Sequence, residues 1–442
     1  MIERRISLSL WTIFAACAAC SDPTGPGTGG GVDMTGGGGG GGPVYKVETV
    51  DDTASGEGTA TVIAGDGSAH VLYFNVGDAN CTPMGGGAMG LSYRNATLKH
   101  ALRTGPETFT RANVSAPNEP VATNGLSALW DQKAGQVVVS YQGGTKGAFY
   151  CAGTDMMLAR FGGAWTRATV AASSTAGANA PEQAGDVVGV FSALAQDAAG
   201  ALYLAWQDTH FGGFQQDDTR KADVELAIGA GTPKATGEII AAAGAGMYNS
   251  LAVDAAGQVL LAYSGYVTGG VTVAVRKAQG QWQFTQAVQS IPVQPALAVA
   301  PKSGKIGLAY FDTNLRLLRF SESTDGGKNF PSDLVDRDGD TGRYVALRYD
   351  AQDRPVLAYY KCGDYRPNQG CDPTKDGLRV ARRLDDGTWQ IADVDGGGDG
   401  ACGTYPSLAL TSGGKAVVAY QCNLFRAATG QFQPAVRMAL EQ

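Results

Sequence analysis

The stretch LAVDAAGQVLLAYSG, residues 251–265, consists of an apolar strand, a turn of the Asp-x-x-Gly type and a second apolar strand that ends near an aromatic residue. The same phrase recurs along the chain. Further copies are SALWDQKAGQVVVSYQG (127–143), SALAQDAAGALYLAWQD (192–208) and SLALTSGGKAVVAYQ (407–421). Self-similarity at a long period is typical of solenoids, arrays and propellers.

An aromatic residue near the end of each second strand allows the units to be counted. The series is Phe74, Tyr141, Trp206, Tyr263, Tyr310, Tyr359 and Tyr420. Two more strand-like segments follow each pair, as in 271–278 and 281–288. Seven such units predict an all-β fold, a seven-bladed β-propeller of four-stranded antiparallel blades. A two-sheet sandwich is disfavoured because sandwiches lack a repeat of this length.

The last unit has too few strands to be complete. It ends after PAVRMAL (434–440) with three strands, whereas residues 43–51 resemble the outer strand at 387–395. We therefore expect the N-terminal strand 43–51 to complete the last blade. Joining both termini in one blade would remove the open edge of a linear array.

The first 42 residues have the composition of a targeting segment followed by a tether. Arg4 and Arg5 precede an apolar run that is too short for a stable membrane span, and small residues precede Cys20. Residues 1–20 resemble a bacterial lipoprotein signal, which implies an acylated Cys20 and an exported protein anchored in the cell envelope, at the outer membrane. Cys17 is the rival acylation site. Residues 21–42 are a Gly-rich tether, and residues 43–442 form the propeller.

Cysteine counting supports Cys20 as the lipid attachment site, because it leaves an even set of six in an exported protein. Three disulfides are expected. Cys402 with Cys422 would flank a hairpin, Cys362 with Cys371 would close one loop, and Cys81 with Cys151 would link equivalent loops of adjacent blades.

Strand order divides the surface into two faces. Face one carries the connections from second to third strands and from one blade to the next; face two carries the other hairpin turns. The long insertions all belong to face one: 77–94, 142–155, 207–222, 361–376 and 421–433. Because function concentrates on loops held by a rigid scaffold, face one is the candidate surface.

Acidic loops between blades suggest a possible calcium ion. Asp336, Asp338 and Asp340 alternate along one loop, and short loops of this kind can wrap Ca²⁺ with oxygen ligands. The following loop has Asp393, Asp395 and Asp399. Solvated Asp/Gly turns are the alternative. A second possible site combines Asp208 and His210 with Asp217 and Asp218, for which a solvated loop is again the alternative.

The segment SESTDGGKNF (321–330) resembles the Asp box of sialidase-like propellers, Ser-x-Asp-x-Gly-x-Thr-Trp, and LDDGTW (384–389) is a degenerate version. The resemblance implies a propeller and a structural turn remote from any active site. Sialidases hold the substrate carboxylate with three arginines, whereas only Arg343 here lies just before an inner strand. The other inner-strand starts offer Tyr248, Tyr344 and Tyr405. We expect Arg343 to pair with the nearby aspartates.

The net charge of −7 disfavours a nucleic-acid partner, which would require clustered Lys and Arg. The aromatic series could stack sugars or pack between blades, and packing is the preferred interpretation. The sequence thus predicts a monomeric, membrane-tethered lipoprotein that binds a protein or glycan through its disulfide-braced loop face. The alternative is a sialidase-like or other glycoside hydrolase, since paired carboxylates would suffice for that chemistry.

Overall fold

The innermost strands of seven small sheets contact one another around a central axis. The computed structural model describes residues 42–53, 58–76, 96–117, 119, 121–144, 154–173, 185, 187–209, 222–242, 244–265, 269–289, 294–366, 370–396, 400–426 and 429–442. None of these residues is helical, so no helix among them could cross a bilayer. The described chain is an all-β, seven-bladed propeller, as predicted.

Each blade is an antiparallel sheet of four strands, ordered from the axis outward. Blades 1 to 3 are β2 Thr59–Ile63, β3 Ala69–Val76, β4 Ala96–Gly105 and β5 Thr108–Asn113; β6 Leu126–Asp131, β7 Gln136–Gly143, β8 Asp155–Phe161 and β9 Trp165–Ala171; β10 Val187–Gln196, β11 Leu202–Thr209, β12 Asp223–Gly229 and β13 Lys234–Ala241. Blades 4 and 5 are β14 Met247–Val253, β15 Val259–Ser264, β16 Val271–Ala278 and β17 Gln281–Val288; β18 Ala296–Val299, β19 Ile306–Asp312, β20 Leu317–Ser323 and β21 Ser332–Asp336. Blade 6 is β22 Asp340–Tyr349, β23 Pro355–Cys362, β24 Gly377–Arg383 and β25 Trp389–Gly396. Blade 7 is β26 Gly400–Leu410, β27 Ala416–Arg426, β28 Gln431–Glu441 and, from the N-terminal side, β1 Tyr45–Asp51.

The N-terminal strand closes the ring, which confirms the prediction for residues 43–51. Strand β1 runs antiparallel to β28, with Tyr45 opposite Glu441 and Asp51 opposite Val436. The strand begins on face two, where the amide of Gln442 donates to the carbonyl of Val44 at 2.9 Å. The two ends of the propeller domain therefore meet on face two.

The blades pack through strands that are apolar on both sides. Val137, Val138 and Val139 of β7 are all fully buried. Val137 and Val139 pack against blade 1, and Val138 packs against blade 3. Burying one such side chain contributes about 1.5–3 kcal/mol. This explains why the second strands are continuous apolar runs.

The aromatic series marks contacts between blades. Tyr359 donates a hydrogen bond to Asp336 of the preceding blade at 2.7 Å, and Tyr420 donates to Asp395 at 2.6 Å. In the first blade the equivalent residue is Tyr73, which donates to Asp51 at 2.8 Å. Phe74, which we counted in the series, instead packs towards blade 2. The count of blades is unaffected because the two residues are adjacent.

Hydroxyl groups cover the inner edges of the sheets. The amide of Leu194 donates to Ser127 Oγ at 3.1 Å, and the amide of Leu297 donates to Ser250 Oγ at 2.9 Å. An innermost strand has no partner strand on its axial side, so its backbone amides need other acceptors. Side chains of the preceding blade supply them.

Candidate functional site

Four innermost strands carry a bulge at the same structural position, in the half nearer face one. The register shifts between Val190 and Ala193, Met247 and Ser250, Arg343 and Ala346, and Thr404 and Ser407. Each bulge holds an aromatic residue in the left-handed region: Phe191 (φ 51°), Tyr248 (φ 56°), Tyr344 (φ 53°) and Tyr405 (φ 49°). Each such non-glycine conformation costs about 1–3 kcal/mol, so the surroundings must impose it.

The four side chains form two ring pairs, one on blades 3 and 4 and one on blades 6 and 7, and we call the four residues together the aromatic platform. The rings of Phe191 and Tyr248 have centroids 4.7 Å apart, and those of Tyr344 and Tyr405 are 4.4 Å apart. Burial, and then the charge of Tyr344, raise the pKa of Tyr248. All four side chains are half-buried.

The remaining blades have no aromatic residue at the described equivalents of this position, which are Gly58, Gly125 and Gln294. Gly125 is required by a close approach of two backbones. A Cβ atom there would lie 2.7 Å from the amide nitrogen of Ser192, next to the bulge that holds Phe191. The platform thus draws on blades 3, 4, 6 and 7, and the β10 bulge packs directly against Gly125 of blade 2.

Two arginines lie beside the platform, between blades 5 and 6. Arg343 contacts Asp340 through Nε and a terminal nitrogen, both at 3.2 Å, and Arg316 also binds Asp340. The predicted pairing of Arg343 with a loop aspartate is confirmed. Burial and the neighbouring charge of Arg343 lower the pKa of Arg316. Two guanidinium groups therefore face the carboxylate of Asp340.

The loop between β23 and β24 completes this corner. The Tyr365 ring lies against Arg316, with 3.4 Å between the guanidinium carbon and the ring centre. Tyr360 donates to Asp376 at 2.6 Å, and the amide of Gly363 donates to the other oxygen at 2.7 Å. Burial raises the pKa of Asp376 despite these donors. The loop therefore has both an internal anchor and a contact with the adjacent blade.

Two of the three expected disulfides lie within the described ranges, and both are present. Cys362 is bonded to Cys371 and fastens the loop that carries Tyr365. Cys402 is bonded to Cys422 across β26 and β27. Disulfides are typical of exported proteins. Cys81 and Cys151 lie outside the described residues.

The residues considered for calcium are occupied by cationic side chains. Asp336 and Asp338 share Arg379, at 2.9 Å and 2.6 Å, while Asp340 faces Arg316 and Arg343. Hydrogen bonds from Lys361 and Arg379 lower the pKa of Asp338 to about 2. The structure does not bring the three carboxylates to one point, as a calcium site would need. They form two separate ion-pair clusters.

The other acidic side chains that the structure describes are also held by ion pairs or hydrogen bonds. Asp393 binds Arg379 at 2.6 Å, and Asp395 binds Arg437 at 2.9 Å. Asp208 accepts the amide of Gly185 and lies near Asp223 and Glu225. The remaining predicted positions lie outside the described residues: Cys17, Cys20, His210, Asp217, Asp218 and Asp399.

The Asp-box-like segment forms a closed turn on face two. Asp325 accepts hydrogen bonds from Ser323 Oγ at 2.8 Å and from the amides of Lys328 and Asn329. These donors lower the pKa of Asp325, with Asn329 contributing most. Thr285 of the preceding blade donates to the carbonyl of Gly327. The turn lies on the face opposite the platform and joins β20 to β21.

Phe191 and Arg316 are the site residues that sequence reasoning missed. A local signal for Phe191 was available: FSAL (191–194) matches YNSL (248–251), YVAL (344–347) and YPSL (405–408). The shared pattern is aromatic, any residue, small residue, leucine. Arg316 has no such signal, because it reaches Asp340 from a hairpin turn of the preceding blade.

Comparisons with solved structures find similarity over most of the chain at low sequence identity. The sequence matches no protein-family model and no curated protein. A protein of unknown function from Dyadobacter fermentans aligns with a TM-score of 0.48 at 12% identity, covering 90% of this chain and 100% of that one. A six-bladed fucose-recognising lectin from Aleuria aurantia gives a TM-score of 0.46 at 10% identity, covering 80% and 99%. A leech intramolecular trans-sialidase gives 0.43 at 9% identity, covering 88% and 68%.

Proposed function

We propose that this chain is an exported β-propeller that binds a glycan through face one, with the aromatic platform at the centre of the site. The observation that carries the proposal is the pairing of Phe191 with Tyr248 and of Tyr344 with Tyr405, each residue in a strained backbone conformation at the same position of its inner strand. Strain of this kind is concentrated at functional sites. If these positions served only to fill space between the inner strands, unstrained aliphatic residues would be sufficient.

The chemistry of the platform suits a sugar. The half-buried aromatic rings have apolar faces against which the C–H face of a pyranose can pack. The tyrosine hydroxyl groups add polar atoms at the ring edges. Arg316 and Arg343 lie beside the platform as hydrogen-bond donors. A mostly apolar floor with a few fixed polar groups is typical of small-molecule sites. A protein ligand is the alternative that the binding test distinguishes from a glycan.

A glycoside hydrolase is the second candidate, and one observation favours it. Burial raises the pKa of Asp376, as a general acid requires. However, Asp376 is held by Tyr360 and Gly363, and Asp340 is held by two arginines. Both carboxylates are therefore committed to structural hydrogen bonds, which favours binding over turnover.

We further propose that acylation at Cys20 and the tether 21–42 hold the protein at a membrane. In support, β1 begins on face two, beside the C-terminal residue. A tether leaving from face two would direct face one, with the platform, away from the membrane. Fatty-acid labelling should be lost in Cys20→Ser and kept in Cys17→Ser, and the reverse result would assign the anchor to Cys17.

A glycan array tests the binding proposal. Tyr344→Ala and Tyr405→Ala should each weaken binding of the best glycan by about tenfold, since that loss corresponds to about 1.4 kcal/mol of stacking and burial. Phe284→Ala is the matched control, because Phe284 is an exposed aromatic residue on the outer strand β17. Binding that survives both platform substitutions would contradict the proposal, as would a protein ligand without glycan.

Turnover assays distinguish the second candidate. The purified protein should leave sialosides and aryl glycosides intact. Hydrolysis that disappears in Asp376→Asn, with folding unchanged, would establish the enzyme instead.

A further inference from the structure

A cleft with a volume of about 310 Å³ lies on face two, between blades 5 and 6. Lys305 and Glu322 of blade 5 line one side, and Arg354 and Arg383 of blade 6 line the other. Ligand clefts typically have volumes of about 300–1,000 Å³. This cleft lies on the face opposite the aromatic platform and is large enough for a small polar ligand.

Two carboxylates of the cleft are already held by donors of the protein. Glu322 accepts hydrogen bonds from the Tyr349 hydroxyl at 2.9 Å and from Lys305 Nζ at 3.2 Å. Asp353 accepts two backbone amides of the β18–β19 turn, at 2.9 Å and 2.7 Å. A cationic ligand would have to compete with these donors, so the carboxylates are better understood as part of the cleft wall.

The two arginines are each fixed through Nε. Arg354 Nε donates to the buried carboxylate of Asp350 at 2.9 Å, and Arg383 Nε donates to a carbonyl of the β24–β25 turn at 3.3 Å. Among the described residues, their terminal nitrogens reach further carboxylates only at Asp385, 3.8 Å from Arg354, Asp350 aside, and at Asp333, 3.3 Å from Arg383. The side chains of Asp385 and Asp333 are 86% and 61% exposed. Exposed ion pairs contribute little to stability, so an anionic ligand can replace them.

We propose that this cleft binds a phosphate group, with Arg354 and Arg383 as its main donors and Lys305 as a third cation. The planar donor fork of a guanidinium group matches two oxygens of a phosphate. Because both arginines are already fixed through Nε, they lose little further freedom when a ligand binds. The mainly charged lining of the cleft disfavours an apolar ligand.

The position of the cleft on face two suggests two sources for the phosphate. Strand β1 begins on this face, beside the C-terminal residue, so a membrane anchored through residues 21–42 would lie on the same side. A phospholipid headgroup is therefore one source, and a soluble phosphate compound is the other. Both would make the same contacts in the cleft. Phosphate binding depends neither on the glycan proposal nor on the lipid anchor.

Calorimetric titration of the full chain with inorganic phosphate, at constant ionic strength, tests the shared chemistry. Arg383→Gln should bind phosphate at least about tenfold more weakly than the natural protein, since it removes one charged donor group. Arg337→Gln is the matched control, because Arg337 is an exposed residue of a face-one loop. It should bind as the natural protein does. Equal binding by Arg383→Gln, or no binding by the natural protein, would overturn the proposal.

A phosphate-soaked crystal of the natural protein gives the location without any variant. Phosphate should lie within hydrogen-bonding distance of the terminal nitrogens of Arg354 and Arg383. A cleft without phosphate, at a concentration that saturates the protein in solution, would contradict the assignment.

Co-sedimentation with vesicles of phosphatidylcholine and phosphatidylglycerol distinguishes the two sources. The full chain is used with Cys20→Ser, so that the proposed acyl group cannot hold it to the vesicle. Vesicle binding that inorganic phosphate reverses and Arg383→Gln removes would assign the cleft to a phospholipid headgroup. Phosphate binding without vesicle binding would assign it to a soluble phosphate compound. Vesicle binding of equal strength in Arg383→Gln would place the membrane contact elsewhere and contradict a headgroup in this cleft.

Discussion

At the scale of single residues, Asp336 and Asp395 show that a local sequence pattern does not determine which group binds an acidic side chain. Alternating aspartates in a loop are equally suitable for a metal ion and for arginine side chains. Here the partners are Arg379 and Arg437, each more than 40 positions further along the chain. Spacing within the loop carries no information about them. The choice between calcium and ion pairs therefore required the three-dimensional arrangement.

The two described histidines form another pair that local sequence does not show. His70 Nδ1 lies 2.8 Å from His100 Nε2, and the rings stack between blades 1 and 2 beside Phe161. Burial lowers the pKa of both, that of His100 to about 3. Ser68 links His70 to the exposed Asp66. The pair is therefore neutral in the folded protein at neutral pH.

We predict that this pair makes the fold sensitive to mild acid. An unfolded histidine binds its proton at about pH 6.5, above the folded pKa, so the unfolded chain takes up protons first as pH falls. The free energy of unfolding should decrease below pH 6.5, by up to about 1.4 kcal/mol per pH unit for each histidine. Carboxylates in the unfolded chain titrate near pH 4, so the window from 6.5 to 5 isolates the histidines.

Denaturant unfolding at several pH values measures this slope. The double variant His70→Gln/His100→Gln should have a nearly flat profile between pH 6.5 and 5. A flat profile in the natural protein, or an equal slope in the variant, would show that the pair does not control acid stability.

At the scale of elements, neighbouring blades are fastened by a repeated contact that we call the latch. A tyrosine of the second strand and a cation of the third strand both bind an aspartate that ends the previous outer strand. The described examples are Tyr73 and Lys99 with Asp51, Tyr359 and Arg379 with Asp336, and Tyr420 and Arg437 with Asp395. This explains why these tyrosines are buried and not available to a ligand.

Tyr359→Phe should destabilise the protein more than the same change at an equivalent position without a latch. Tyr359 donates to the buried carboxylate of Asp336, and a hydrogen bond to a charged group is worth about 1.5–3 kcal/mol. Tyr310 is the control, because its hydroxyl contacts only the exposed Ser332 Oγ among described partners. Tyr310→Phe should cost about 0.5 kcal/mol. Equal losses in urea unfolding would argue against the latch.

The elements themselves were largely predictable because the repeated phrase specifies strand, turn and strand in order. The bulges were not predictable. Each one shifts the pairing register of an inner strand by one or two residues, at Phe191, Tyr248, Tyr344 or Tyr405. A bulge arises from how an inner strand fits its neighbours around the axis. Only the aromatic-x-small-Leu pattern marked these positions in the sequence.

At the scale of the whole molecule, ring closure determines which residues meet. Antiparallel pairing of β1 with β28 joins the termini on face two and leaves face one for the long loops. Blade number and closure followed from counting repeats. The two aromatic pairs, and the meeting of Arg316 with Arg343 at Asp340, join residues of neighbouring blades. Spacing within the sequence could not predict these contacts, because they depend on the packing of one blade against the next.

A crystal structure with the strongest glycan from the array tests the central claim most directly. The account predicts a sugar ring packed on the aromatic platform, with its hydroxyl groups towards Arg316 or Arg343 on face one. A sugar bound at the blade edges or on face two, with the platform uncovered, would contradict it.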